Sequence, residues 1–131
     1  MGNPAAKQGD KIVATDMHIV IMPPPTVPTL LPHPFNGILN AALSSDVRVM
    51  GLSAATVGSQ ADNTPPHLPT PPGLSFQTPP KNKGTIQIGS LTVRINGKAA
   101  ARNGDTAVTC NDPIDQAFGK VVAIGLVSIG D

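Results

Sequence analysis

The sequence predicts a small all-β domain, on three observations. The clearest periodicity has period two: residues 85–96, TIQIGSLTVRIN, put Ile86 and Ile88 on one face and Leu91, Val93 and Ile95 on one face. The chain holds 15 Pro and 13 Gly, together 28 of its 131 residues, which break helices and punctuate short strands. A glycine frame, G-x-x-A-A-x-x-G, occurs three times, at residues 2–9, 51–58 and 97–104. Three copies of one β-unit, with proline-rich loops between them and at most one short helix, account for all three observations.

Taken in order, residues 1–22 hold the first frame and two short strands, 11–14 and 18–22, with a turn near Thr15-Asp16. Residues 23–34, PPPTVPTLLPHP, carry six prolines, which excludes a helix interior or a central strand. They are read as a stiff, extended wrap anchored by Leu30, Leu31 and Phe35 rather than as a flexible linker. Residues 36–45 are the one helical patch, with Ile38, Leu39, Ala42 and Leu43 at helical spacing. Residues 46–50, DVRVM, alternate and run into the second frame. A second proline-rich stretch, 64–73, and a polar surface loop, 74–83, follow. Gly89-Ser90 reads as a hairpin turn inside 85–96. The third frame comes next, and residues 120–131 form a terminal strand–Gly–strand hairpin.

The frames start 49 and 46 residues apart, which suits one structural unit per repeat. The opening glycine permits a tight turn at positive φ. The paired alanines let backbones approach where the units converge. Asp10 and Asp105 follow closing glycines and are read as turn formers that bond nearby N–H groups. The middle copy departs, with Ser59 in that place.

Each frame runs on to a metal-ligand residue type: His18, His67 and Cys110, lying nine, nine and six residues past the closing glycine. His33, in the first proline-rich stretch, has no repeat position of its own. Three His and one Cys make up the full supply of these residue types, and four ligands complete a tetrahedral zinc site. A core with three Phe, no Trp and no Tyr buries little area per residue and calls for a staple. One cysteine excludes an internal disulfide, so a metal is the staple that remains. Zinc is the first choice and iron the alternative.

Composition excludes several function classes. A net charge of +1 leaves no electrostatic footprint for nucleic acid or a membrane surface. The longest aliphatic run, 19–22, is too short to span a bilayer, and no secretory leader is recognisable, so folding in the cytoplasm is expected. The absence of Glu removes H-E-x-x-H chemistry, and no Lys-Ser or Lys-Thr follows the frames to make a phosphate loop. No catalytic residue is assigned, and the chain is expected not to be an enzyme.

The frames, with Pro4-Ala5-Ala6-Lys7 and Ala99-Ala100-Ala101-Arg102 inside them and NGKAAARNGD as the most specific stretch, resemble the PAAR-repeat proteins that tip the spikes of type VI secretion systems and related contractile injection systems. The resemblance spans residue 2 to the terminal hairpin. It implies a sharp, conical all-β domain over residues 1–131, without a toxin extension. Such a cone sits at one copy per trimer on a VgrG-type β-helical spike and is a monomer alone. It also implies a metal near the apex held by three His and one Cys: His18, His33, His67 and Cys110. The implied role is to help pierce a target membrane after ejection from the cytoplasm. An adaptor that loads an effector onto the spike is the alternative.

Overall fold

The computed structural model describes residues 2–130 and contains only strands, turns and loops among them. Thirteen strands follow one another: β1 (Asn3–Pro4), β2 (Lys11–Ile21), β3 (Pro28–Ala41), β4 (Arg48–Val49), β5 (Leu52–Ser53), β6 (Gln60–Asn63), β7 (Ser75–Phe76), β8 (Lys83–Ile86), β9 (Arg94–Ile95), β10 (Lys98–Ala99), β11 (Thr106–Thr109), β12 (Gln116–Val122) and β13 (Ser128–Ile129). Strands β2, β3, β6, β8, β11 and β12 pair antiparallel in that order, and β12 returns to β2, which closes the sheet on itself. Closure removes the exposed edges that a small open sheet would present. Strand β7 adds to the far end of β2. Three two-stranded ribbons stand apart from this sheet: β4 with β5, β9 with β10, and β13 with β1.

The glycine frames organise one end. Ala6 N–H donates to Ala101 O at 2.9 Å, Ala101 N–H to Ala55 O at 3.1 Å, and Ala55 N–H to Ala6 O at 3.0 Å. These three bonds form a closed ring. Bridges Ala5 to Arg102, Lys7 to Ala54 and Thr56 to Ala100 join the frames in the same cyclic sense. The alanines are fully buried, so any larger side chain would push the three backbones apart. Packing follows the same pattern in layers: Val49, Ile95 and Ile129, then Ala5, Ala54 and Ala100, then Leu39, Ile86 and Val121.

The frame glycines act largely as the sequence suggests. Gly51 and Gly97 follow Met50 and Asn96, and all four have positive φ (84°, 79°, 52° and 53°), which is the two-residue turn that suits a tight ribbon. Gly2 differs, because its ribbon pairs the two ends of the chain. A Cβ there would lie 2.6 Å from Ile129 O, so close backbone approach requires that glycine. Asp10 and Asp105 accept from Lys7 N–H and Arg102 N–H at 3.0 and 2.7 Å, as turn formers should. Ser59 does the same work in the middle copy, accepting from Thr56 N–H at 3.0 Å. The departure at Ser59 therefore leaves that turn intact.

Several local expectations are corrected. No turn interrupts residues 15–16; β2 runs unbroken with even-numbered residues inward. Residues 36–41 are the end of β3, not a helix, because Phe35, Gly37 and Leu39 alternate inward and β2 and β6 take the backbone on either side. The proline-rich stretch becomes strand from Pro28 onward. Asn36 N–H faces β6, bonding Asn63 Oδ1 at 2.9 Å, so the even-numbered positions, Pro28, Pro32 and Pro34 among them, turn their nitrogens away from β2. Strand β6 does not extend along 28–34, so no ladder donor is lost there. Gly89-Ser90 makes no hairpin: β8 joins the closed sheet and β9 joins a ribbon with β10. Among the described residues the terminal hairpin expected over 120–131 is not formed, since β13 pairs with β1; residue 131 lies outside the described residues.

Phe35 plugs the closed sheet. A Cβ at Gly37 would lie 2.7 Å from its ring, and one at Gly84 would lie 3.2 Å from it. Two strand glycines thus make room for the one aromatic ring of the main core. Beyond Phe35 the interior turns polar.

Candidate metal centre

Strand alternation aims the first residues inward. Asp16 and His18 are two apart on β2, so both point into the interior, and His33 lies opposite Asp16 on β3. His18 stands eight residues beyond Asp10, about 26 Å of extended chain from the frame ring. His67 comes from the loop after β6. Its N–H donates to Asn82 Oδ1 at 2.8 Å, and Asn63 Nδ2 shares that oxygen at 3.2 Å. Cys110 follows β11 directly.

The cysteine segment is clipped to the edge of β2 by side chains. Asn111 Oδ1 accepts from Met17 N–H at 2.7 Å and Asp112 Oδ2 accepts from Ile19 N–H at 2.8 Å. Asp112 N–H returns a bond to Met17 O at 2.7 Å. Farther along the same edge, β7 pairs with Val20 and Ile21. The stretch expected to be only a polar loop therefore brings Phe76 in, with its ring 5.7 Å from His18 and 5.2 Å from His33 between centroids.

Asp16, His18, His67 and Cys110 are all buried and bring one ligand atom each within 4.8 Å of one another. This is a clustered site able to coordinate a metal ion. Three of the four residues named from the sequence are in it. The fourth, His33, is buried beside it, with its ring centroid 5.7 Å from His18 and 5.6 Å from His67. Its Nδ1 lies 3.0 Å from Leu31 O and its Nε2 lies 3.1 Å from Thr70 Oγ1.

Asp16 is the member that the repeat does not point to. A turn near Thr15-Asp16 would leave it outside, but the strand carries a signal for it: Ala14, Asp16, His18 and Val20 keep one parity along a buried strand. Its Oδ2 lies 2.8 Å from His67 Nε2 and accepts from Cys110 Sγ at 3.3 Å, while its Oδ1 accepts from Thr109 Oγ1 at 2.5 Å.

Burial disfavours the charged forms of three side chains here, His18, His33 and Cys110. Burial holds His18 and His33 below the usual histidine range. Burial, with Asp16 beside it, pushes the Cys110 thiol up to about 11. Both ring nitrogens of His18 are buried without a hydrogen-bond partner, although Nδ1 stands 3.5 Å from Asp112 Oδ2. Buried polar atoms are nearly always satisfied, and an orphaned imidazole facing a thiol and a carboxylate fits a metal ligand. A cavity of about 340 Å³, lined by His18, Cys110 and neighbouring residues of the 78–81 and 111–115 segments, offers access to the cluster.

Comparison with known protein families, with curated proteins and with solved structures returned no match. What stands on the residues themselves is a small all-β domain with a metal-binding cluster at the end opposite the frame ring.

Proposed function

We propose that the protein is a metal-stapled, non-enzymatic tip that caps a trimeric, VgrG-type β-helical spike of a contractile injection machine. The observation that carries this reading is the ring of three frames joined by the same backbone bonds. One chain thereby offers a threefold pattern to a threefold partner, which suits one copy per trimer. The loops around that ring add contact surface. The ribbon turns bond neighbouring loops in cyclic order: Asn96 with Asp46, Gly130 with Ser90, and Met50 with Leu126. Leu91 and Leu126 stand 85% and 91% exposed there, as apolar side chains that await a partner do.

In this reading the histidine end is the leading point. Zinc suits imidazole, thiolate and carboxylate donors better than iron does in a closed structural site. His18, His67 and Cys110 would hold it, with the fourth ligand from His33 or Asp16. The ion would supply the cross-link that a core poor in large side chains lacks. The tip would assemble in the cytoplasm, leave on the spike and meet the target membrane in passing.

The adaptor reading draws on a different surface. Val13 lies diagonally across from Ile38 and from Val122 on the outer face of the closed sheet, beside Lys11, which stands opposite both; the three apolar side chains are exposed, as is Phe118 on β12. An effector could be carried there while the ring end is occupied.

The test is co-expression with a trimeric spike protein, followed by mass measurement of the purified complex. One copy per trimer is expected. Leu126→Asp with Leu91→Asp should abolish the complex and leave the melting temperature unchanged. Retention of the complex by that double variant, or capture of an effector without a spike, would contradict the tip reading.

A further inference from the structure

We propose that Asn82 is a positioning residue that ties the His67 loop to the Cys110 sulfur. This rests on the metal reading above and deepens it.

The His67 loop has little else to hold it. Residues 64–73, TPPHLPTPPG, include five prolines among ten residues. Pro65, Pro66 and Pro69 carry no N–H, so the loop can bond little of its own backbone. Strand β6 ends at Asn63, so no ladder aims His67 inward as strand alternation aims His18. The His67 N–H goes instead to Asn82 Oδ1 at 2.8 Å. That oxygen is itself fixed. Asn63 Nδ2 donates to it at 3.2 Å, and Asn82 Nδ2 donates to Pro80 O at 3.3 Å. Asn82 O accepts from Asn63 N–H at 2.8 Å, which fastens the peptide to the end of β6.

The backbone of the same residue serves the sulfur. Asn82 is half-buried with φ at 55°, in the left-handed region that asparagine tolerates better than most side chains do. Such a turn can aim successive N–H groups at one acceptor. Strand β8 pairs with β11 at Ile86 with Ala107 and Thr85 with Val108, and the same register puts Cys110 beside Lys83. Burial pushes the Cys110 thiol up, while the N–H groups of Asn82 and Lys83 pull the other way. Two amides that converge on a sulfur favour the thiolate, which is the form that ligates a metal.

Three demands therefore meet at Asn82: a left-handed backbone, an acceptor shared by two donors, and a donor for Pro80 O. Asparagine meets all three, aspartate the first two and glycine only the first. The rival role is that of a turn former leading into β8, which glycine would fill as well.

Zinc titration of wild type, Asn82→Gly and Asn82→Asp separates the two roles. Asn82→Gly keeps the turn and loses the tether, so its zinc affinity should fall about 10–100-fold, as when an outer partner of a ligand is lost. Asn82→Asp keeps the acceptor and should bind zinc much nearer to wild type than to Asn82→Gly. Hydrogen exchange reads the tether itself. The His67 amide should be protected in zinc-loaded wild type and exchange faster in Asn82→Gly, while Ala6, Ala55 and Ala101 keep their protection. Wild-type affinity in Asn82→Gly would overturn the proposal, and so would an Asn82→Asp as weak as Asn82→Gly. If Asn82→Gly does not fold, an unprotected His67 amide in zinc-loaded wild type overturns it. A wild-type protein that takes up no zinc overturns the metal reading; the tether then stands only if Asn82→Gly speeds His67 exchange in the metal-free protein.

Discussion

At the frame end, Ala6, Ala55 and Ala101 close a ring through backbone atoms alone. At the histidine end, Asp16, His18, His67 and Cys110 meet through side chains carried by three separate segments. The first end repeats itself three times, buries small apolar residues and satisfies its own polar groups. The second has no repeat, interleaves proline-rich loops and leaves the His18 nitrogens without partners. The contrast separates two sources of stability. The ring is held by contacts the chain makes with itself. The histidine cluster gathers buried donors that a bound cation would compensate.

The largest effect is expected where a ligand is removed. Cys110→Ser should abolish stoichiometric zinc binding and cost several kcal/mol, lowering Tm by more than about 10 °C in the presence of zinc. Metal analysis and thermal unfolding of the same preparation check this. A variant that keeps both zinc and Tm would remove Cys110 from the centre.

Next comes the ring. Ala55→Leu places a large side chain at a fully buried position between converging backbones and should cost about 1–3 kcal/mol in denaturant unfolding. Its zinc affinity should hold, because the cluster lies far along β2. A loss of zinc equal to that of Cys110→Ser would mean that the two ends are not separable.

The turn formers are expected to matter less. Asp105→Ala removes the acceptor for Arg102 N–H and the ion pair with the Arg102 side chain, at about 1–2 kcal/mol. Ser59→Ala removes the acceptor for Thr56 N–H and the donor to Ala42 O, at about 1–2 kcal/mol. A smaller loss at Asp105 than at Ser59 would show that the Asp105 ion pair contributes less than the Ser59 bond to Ala42 O.

The shallowest effect is expected from pH in the metal-free protein. His18 and His33 are held low by burial, so an unfolded chain takes up protons below about pH 6.5 that the folded chain refuses. Stability should be full above that pH and fall as the pH drops below it. The raised Cys110 thiol acts with the opposite sign: its contribution is full below the unfolded thiol range and is lost as the pH rises through about 11. Urea midpoints across pH 5–8 should therefore fall toward the acid side; a flat profile would contradict the buried histidines.

Legibility in the sequence follows the same division. The frames could be read because their function is local: a glycine at positive φ and an alanine at a crowded contact leave their mark at fixed spacing. His18, His67 and Cys110 could be read because the repeat pointed to them. Asp16 could not, since a lone Asp reads as a turn former until the parity of its strand is known. The helix expected over 36–45 failed because four apolar residues fit a helical spacing while pairing with β2 and β6 decided the outcome. The proline-rich strand was hidden for a related reason. Which edge of a strand is unpaired depends on the partner's length, and residues 28–34 say nothing about where β6 ends.

Hydrogen exchange before and after chelation tests the division between the two ends most directly. With zinc removed, the amides of Met17, Ile19 and His67, which bond to side chains around the cluster, should exchange much faster. The ring amides of Ala6, Ala55 and Ala101 should keep their protection. Equal acceleration at both ends, or no change at the histidine end, would contradict a metal-dependent point carried on a self-sufficient ring.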